Sequence, residues 1–130
     1  MDFEMAKRIG AFSWNELMTT DVAAAKAFYG ELFGWRLVDV DSSYGMDYTI
    51  ATVDDRDIAG IMPKPEMASN IPSSWGGYIT VDNVDNHVKK AQDLGAQVLV
   101  EPQDIPKVGR FSVVKDPQGA FFSMISYFPK

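Results

Sequence analysis

Thr20-Asp21-Val22-Ala23-Ala24-Ala25-Lys26-Ala27-Phe28-Tyr29-Gly30-Glu31-Leu32-Phe33-Gly34-Trp35 opens on a helix cap and closes on a glycine, and the plan recurs. Some sixty residues on, Asp82-Asn83-Val84-Asp85-Asn86-His87-Val88 and Ala91-Gln92-Asp93-Leu94-Gly95-Ala96 repeat the cap, the helix and the stop. Val22 aligns with Val84 at an offset of 62 and Gly34 with Gly95 at an offset of 61, so the two helices differ by about one residue. A duplicated unit predicts a pseudo-symmetric domain with its pocket between or inside the halves.

The elements around each helix follow the same order. Phe12–Thr19 reads as a strand feeding a helix capped at Thr20 or Asp21, with Val22, Ala25, Phe28, Tyr29, Leu32 and Phe33 as a core-facing stripe and Gly34 as C-cap. Residues 35–40 are extended, Ser42-Ser43-Tyr44-Gly45 is a turn, Tyr48–Val53 has strand composition, and Asp54–Asp57 turns the chain into 58–62. Residues 63–74, with three prolines, read as a linker. The second half gives a strand over 76–81 and a helix over 83–94 with Val84, Val88, Ala91 and Leu94 inward. A strand over 97–101 and a loop over 102–108 follow, then strands over 109–115 and 120–127 about an Asp116-Pro117-Gln118-Gly119 turn. The expectation is an α+β fold: one domain over residues 1–130, built of two tandem βαβββ modules, about 10–62 and 76–128, joined by a linker over 63–75 and forming a curved mixed-sheet cup with helices outside.

Bulk properties narrow the partners. A 130-residue chain with 46% hydrophobic and 12% aromatic residues can bury a core of its own. A formal charge of −6 argues against nucleic acid or an anionic membrane surface, which require a basic footprint. No cysteine is present, which excludes disulfides, thiolate nucleophiles and zinc–thiolate sites. The polar start and the absence of a membrane-length apolar run make the cytoplasm the expected location.

Asp21-Val22 followed by Phe28-Tyr29 and Leu32-Phe33-Gly34-Trp35, together with Val81–Asp85, Gly109-Arg110-Phe111 and Asp116-Pro117-Gln118-Gly119, resembles the vicinal oxygen chelate superfamily. That superfamily includes glyoxalase I, bleomycin-resistance proteins and extradiol dioxygenases, and the resemblance runs from Gly10 to Tyr127. It implies paired βαβββ modules around a metal or ligand. In metal-dependent members it also implies a His or Gln seven residues before each helix start and a Glu on each last strand. Here those positions are Trp14, Gly76, Ser123 and the neighbourhood of Gly60 or Ile61, so the resemblance implies a fold without its metal set. The single histidine, His87, lies on the second helix beside its apolar stripe and reads as structural. No metal and no other cofactor is expected.

Strand alternation places Trp14, Glu16 and Met18 on one face, with Asn15, Leu17 and Thr19 toward the helix. Glu16 is the sharpest candidate: a carboxylate there must face water, pair with Arg110, or meet a cationic or hydrogen-bonding ligand. Arg110 could instead bind an anionic group or form a rim ion pair. Trp14, Tyr48, Trp75, Tyr78, Phe121 and Tyr44 would line an aromatic cup, with Thr80, Ser112 and Ser123 adding hydroxyls; each aromatic serves equally well as core. The expected ligand-binding set is thus Trp14, Glu16, Met18, Tyr48, Trp75, Tyr78, Arg110, Phe121 and Ser123, with Glu16, Arg110 and Tyr78 as the catalytic candidates. No phosphate loop, dinucleotide fingerprint or hydrolase elbow is present. Three readings remain. One is a metal-independent small-molecule binder, its ligand cationic or aromatic; one is a glyoxalase-like lyase or isomerase using Glu16, Tyr78 or Arg110; one is an interaction or regulatory module whose cup is filled by core. A homodimer is expected from hydrophobic strand edges.

Overall fold

The computed structural model describes residues 3–40 and 47–129. The turn expected over Ser42–Gly45, Tyr44 included, lies outside the described residues. In chain order the elements are α1 (Phe3–Ala6), β1 (Phe12–Thr19), α2 (Val22–Phe33), β2 (Arg36–Asp39), β3 (Thr49–Val53) and β4 (Arg56–Pro63). After a 3-10 turn at Glu66–Ala68 come β5 (Ser74–Thr80), α3 (Val84–Asp93), β6 (Gln97–Ile105), β7 (Gly109–Lys115) and β8 (Phe121–Tyr127). All eight strands form one mixed sheet in the order β2-β3-β4-β1-β5-β8-β7-β6. This is the α+β arrangement of two βαβββ units expected from the repeat.

The centre of the sheet carries the pseudo-symmetry. β1 and β5 run antiparallel with Trp14 opposite Tyr78, Asn15 opposite Gly77 and Glu16 opposite Gly76. The offset of 62 maps Trp14, Asn15 and Glu16 onto Gly76, Gly77 and Tyr78, so each pair is exchanged by the repeat and the pseudo-dyad passes between Asn15 and Gly77. Each module's last strand runs parallel to its first: β4 beside β1 with Gly60 at Glu16, β8 beside β5 with Ser123 at Tyr78.

The caps form as the sequence dictates. Asp21 accepts from the Ala24 amide at 3.0 Å, and Asn83 accepts from the Asn86 amide at 2.9 Å, each satisfying a backbone donor that the first helical turn leaves open. Gly34 ends α2 at φ 70°, its amide donating to the Gly30 carbonyl. Asp54 and Asp55, both at positive φ, make the two-residue hairpin between β3 and β4. Asp116 accepts from the amides of Gln118 and Ala120 and so holds the β7–β8 turn.

Three local expectations are corrected. The loop expected over residues 102–108 is strand as far as Ile105: β6 is an edge strand, where a proline forfeits no central ladder bond, and register shifts from Val98 to Gln103 absorb Pro102. Leu94, expected inward, is 70% exposed because it caps α3 rather than continuing its stripe. The α2 stripe was expected to face core, yet α2 buries no residue, whereas α3 buries Val84 and Val88 against Val81, Val114 and Met124. Among the described residues no helix is long and apolar enough to cross a membrane.

Candidate functional site

The two central strands and the residue that leads into β3 bring one carboxyl group and two phenols together. Glu16, buried at 6% exposure, accepts from the Tyr78 hydroxyl at 2.7 Å on Oε1 and from the Tyr48 hydroxyl at 2.6 Å on Oε2. Trp14 Nε1 in turn donates to the Tyr48 oxygen at 2.7 Å. Both O–H···O distances are ordinary for a hydroxyl donating to a carboxyl oxygen.

Each member is positioned by a feature of sequence. Trp14 and Glu16 share a face of β1 because they are two residues apart. Tyr78 holds in module two the place Glu16 holds in module one, so the two side chains meet across the pseudo-dyad. Tyr48 precedes β3 and lays its ring over Gly60, where any Cβ would run into Oη, Cζ and Cε1 of the phenol. Gly60 is therefore the notch that admits Tyr48 to Glu16. Ser123 stands beside Tyr78 in the register of β8 on β5, and Phe111 packs against the Tyr78 ring at 6.4 Å between centroids.

The electrostatics pull in opposite directions. Burial pushes the Glu16 carboxyl above its ordinary value, and the two phenolic hydrogen bonds oppose that rise without cancelling it. Burial, followed by the Glu16 charge, drives Tyr48 and Tyr78 well above the usual phenol range, so both remain donors. Tyr127, raised chiefly by burial, meets Ser13 at 2.8 Å.

The other expected residues fall elsewhere. Arg110 does not reach Glu16: Nε and Nη2 fork onto Asp85 at 2.8 and 3.0 Å, and Nη1 donates to Asp104 at 3.0 Å, tying the first turn of α3 to β6. Trp75 stands opposite Leu17 and turns to the α2 side, where its Nε1 donates to the Tyr29 hydroxyl at 3.0 Å. Met18 is half-buried on the Glu16 face, further along β1 opposite Ser74. Phe121, 40% exposed, begins β8. Thr80 donates to the Met5 carbonyl of α1, and Ser112 donates to the Val100 carbonyl within the sheet. Sequence reasoning missed the Ser13–Tyr127 pair and the contact of α1 with Thr80. It had the repeat offset that pairs Glu16 with Tyr78, the one signal that joins those two residues.

Space for a ligand opens where β1 and β4 part. Their pairing begins only at Glu16–Gly60, and the unpaired beginnings of the two strands splay. A cleft of about 310 Å³ lies there, lined by Ser13, Trp14, Asn15, Asp57 and Ile58 with Met5 and Phe12. A second, of about 520 Å³, is lined by Phe12, Asn15, Trp35, Ile58, Ala59, Trp75 and the Gly76-Gly77 backbone.

A metal ion does not fit this donor set. The positions that would carry ligands present an indole, two glycines and one hydroxyl, and Glu16 is the single carboxylate in the network. Among the described residues no three His, Asp or Glu side chains gather around a point.

Comparison with known proteins agrees with this architecture. The "Putative glyoxylase CFP32" of Mycobacterium bovis is 36% identical over 126 residues, which is 97% of this chain and 48% of that protein. The "Anthracycline biosynthesis protein DnrV" of Streptomyces peucetius is 31% identical over 127 residues, 88% of this chain and 46% of that protein. The chain thus spans about half the length of each. Streptomyces coelicolor methylmalonyl-CoA epimerase, solved in complex with 2-nitronate-propionyl-CoA, shares the fold at a TM-score of 0.60 and 15% identity, covering 94% of this chain and all of that one. Residues 8–124 match the Glyoxalase/Bleomycin resistance protein/Dioxygenase superfamily, and the chain belongs to it.

Proposed function

We propose that this domain binds a small organic molecule, aromatic and neutral or cationic, beside Glu16 and without a metal ion. The observation that carries the reading is the Glu16 carboxyl itself, buried and held by two phenols, the hydrogen-bond partners it has among the described residues. Burying a carboxylate is costly unless something compensates it, and phenols supply hydrogen bonds but no positive charge. A ligand amine or hydrogen-bond donor entering by the Trp14 cleft would supply what is absent. The net charge of −6 favours a cation over an anion, and the link of one relative to anthracycline biosynthesis agrees with a polycyclic aromatic ligand. The single domain 1–130, with modules about 10–62 and 76–128 and a linker over 63–75, is taken as the binding unit, acting in the cytoplasm as a homodimer.

The test is a fluorescence titration of the purified protein with planar aromatic amines, with aromatic carboxylates as controls. Amines should bind and carboxylates should not, and Glu16→Gln should weaken amine binding by about 1–3 kcal/mol, the scale of a charge-assisted hydrogen bond. Equal binding of both classes, or none of either, would refute the reading.

The raised carboxyl supports a second reading, a glyoxalase-like isomerase or lyase in which Glu16 moves a proton. There Glu16 would take a proton from the carbon next to a carbonyl and return it to the neighbouring atom, and the phenol that the protonated carboxyl no longer needs as a donor, Tyr78 or Tyr48, would turn its O–H to the enolate oxygen. Deuterium from solvent entering a 2-oxo substrate, and failing to enter with Glu16→Gln, distinguishes catalysis from sequestration.

A further inference from the structure

We infer that the exposed aromatic face of α2, with the cleft beside it, is where a second copy of this chain docks. The inference rests on the homodimer reading above and gives it a surface other than the strand edges. α2 is a well-made helix, capped by Asp21 and stopped by Gly34, with apolar residues at helical spacing, yet it buries no residue. Its repeat counterpart α3 buries Val84 and Val88. Phe28, Leu32 and Phe33 are 59%, 57% and 58% exposed. α2 is apolar nearly all round rather than along one face, and a helix of that kind gains its stability from burial, so this one calls for a covering partner.

The face is continuous and built. Tyr29 stacks on Phe33 and Trp35 and meets Trp75 edge-on, while Trp35 and Trp75 touch at 5.8 Å between centroids. Trp35 and Trp75 also wall the 520 Å³ cleft, whose floor at Gly76 offers open space where a side chain would stand. A convex aromatic helix next to a concave apolar cleft on one face suits a two-fold interface, in which each copy presents both. At their observed exposures, Phe12, Phe28, Phe33 and Trp75 offer roughly 400 Å², about half of the ~800 Å² that each partner gives a standard interface. Exposed Glu31 and Arg36 place both signs of charge near this face, which two identical copies can pair and a singly charged partner cannot.

Light scattering on size-exclusion fractions tests this with wild type, Leu32→Glu and Leu94→Glu; both leucines are exposed, so both variants should fold, as circular dichroism would verify. Wild type should run at twice 14.4 kDa at micromolar concentration, Leu32→Glu at 14.4 kDa, and Leu94→Glu, on the other helix, as wild type. A dimeric Leu32→Glu would overturn the surface while leaving the homodimer reading intact. A monomeric wild type would overturn both, and one that bound the apolar dye 8-anilinonaphthalenesulfonate stoichiometrically would reassign the face to a small ligand. Aromatic-amine affinity per chain, measured on the same samples, keeps this outcome separate from the Glu16 reading.

Discussion

Tyr78 is the repeat equivalent of Glu16, and its hydroxyl donates to Glu16 Oε1 at 2.7 Å across the pseudo-dyad. The two modules thus keep the same backbone position but have diverged in chemistry, one supplying an acceptor and the other a donor. Tyr48 completes the arrangement through the notch at Gly60. The result is a carboxyl group whose protonation is set by burial against two phenols.

The phenols should act as a unit. Tyr78→Phe and Tyr48→Phe each remove a donor to a buried acceptor, a loss of about 1–3 kcal/mol in chemical denaturation. After the first loss Glu16 takes up a proton more readily, so the second phenol is worth less. The double variant should therefore lose less than the sum of the single ones. Strict additivity would show that the phenols do not share the carboxyl.

Gly60→Ala should destabilise the fold by about 1–3 kcal/mol, because the added methyl runs into the Tyr48 ring and over-packing has that scale. In a Tyr48→Ala background the same substitution should be nearly neutral. An equal penalty in both backgrounds would place the strain in the backbone instead of the ring.

How far the sequence revealed this depended on the range of each interaction. The caps at Asp21, Asn83 and Gly34 are local, and they form where the residues indicate. The side of β1 that Glu16 occupies follows from alternation, which is local too. Its partner does not: the sequence offered Arg110, water or a ligand, and only the antiparallel register of β1 on β5 brings Tyr78 to it. Trp75 was misjudged for a related reason. It shares its face with Leu17 rather than Glu16, a fact fixed by pairing between modules. The exposure of α2 was illegible because apolar residues at helical spacing record a helix, not how deeply the sheet buries it.

Arg110→Gln should leave ligand affinity unchanged, since the guanidinium is committed to Asp85 and Asp104. Its effect should appear in acid. The Arg110 hydrogen bond is the main reason Asp85 titrates below its ordinary value of 3.8, so the pair stabilises the fold above that pH and loses its contribution as pH falls through the folded-state value. The variant should therefore differ from wild type most near neutral pH and converge with it in strong acid. A loss of ligand binding would instead return Arg110 to the site.

Glu16→Gln should reveal the opposite sign. Burial raises the Glu16 carboxyl above its ordinary 4.5, so between that value and the folded-state one the native protein holds a proton that the unfolded chain has released. Stability tied to this group is fully present below pH 4.5 and is lost as pH rises through the raised value. Gln does not titrate, keeps the volume, and can accept from one phenol through its oxygen while donating to the other through its amide. Subtracting wild-type stability from that of Glu16→Gln cancels every other titrating group, including Asp85 and Asp39. The difference should climb in favour of Gln as pH rises above about 4.5 and level off once pH has passed the raised folded-state value. Urea denaturation of both proteins across that range measures it directly, and a flat difference would mean that Glu16 ionises as freely in the fold as in water.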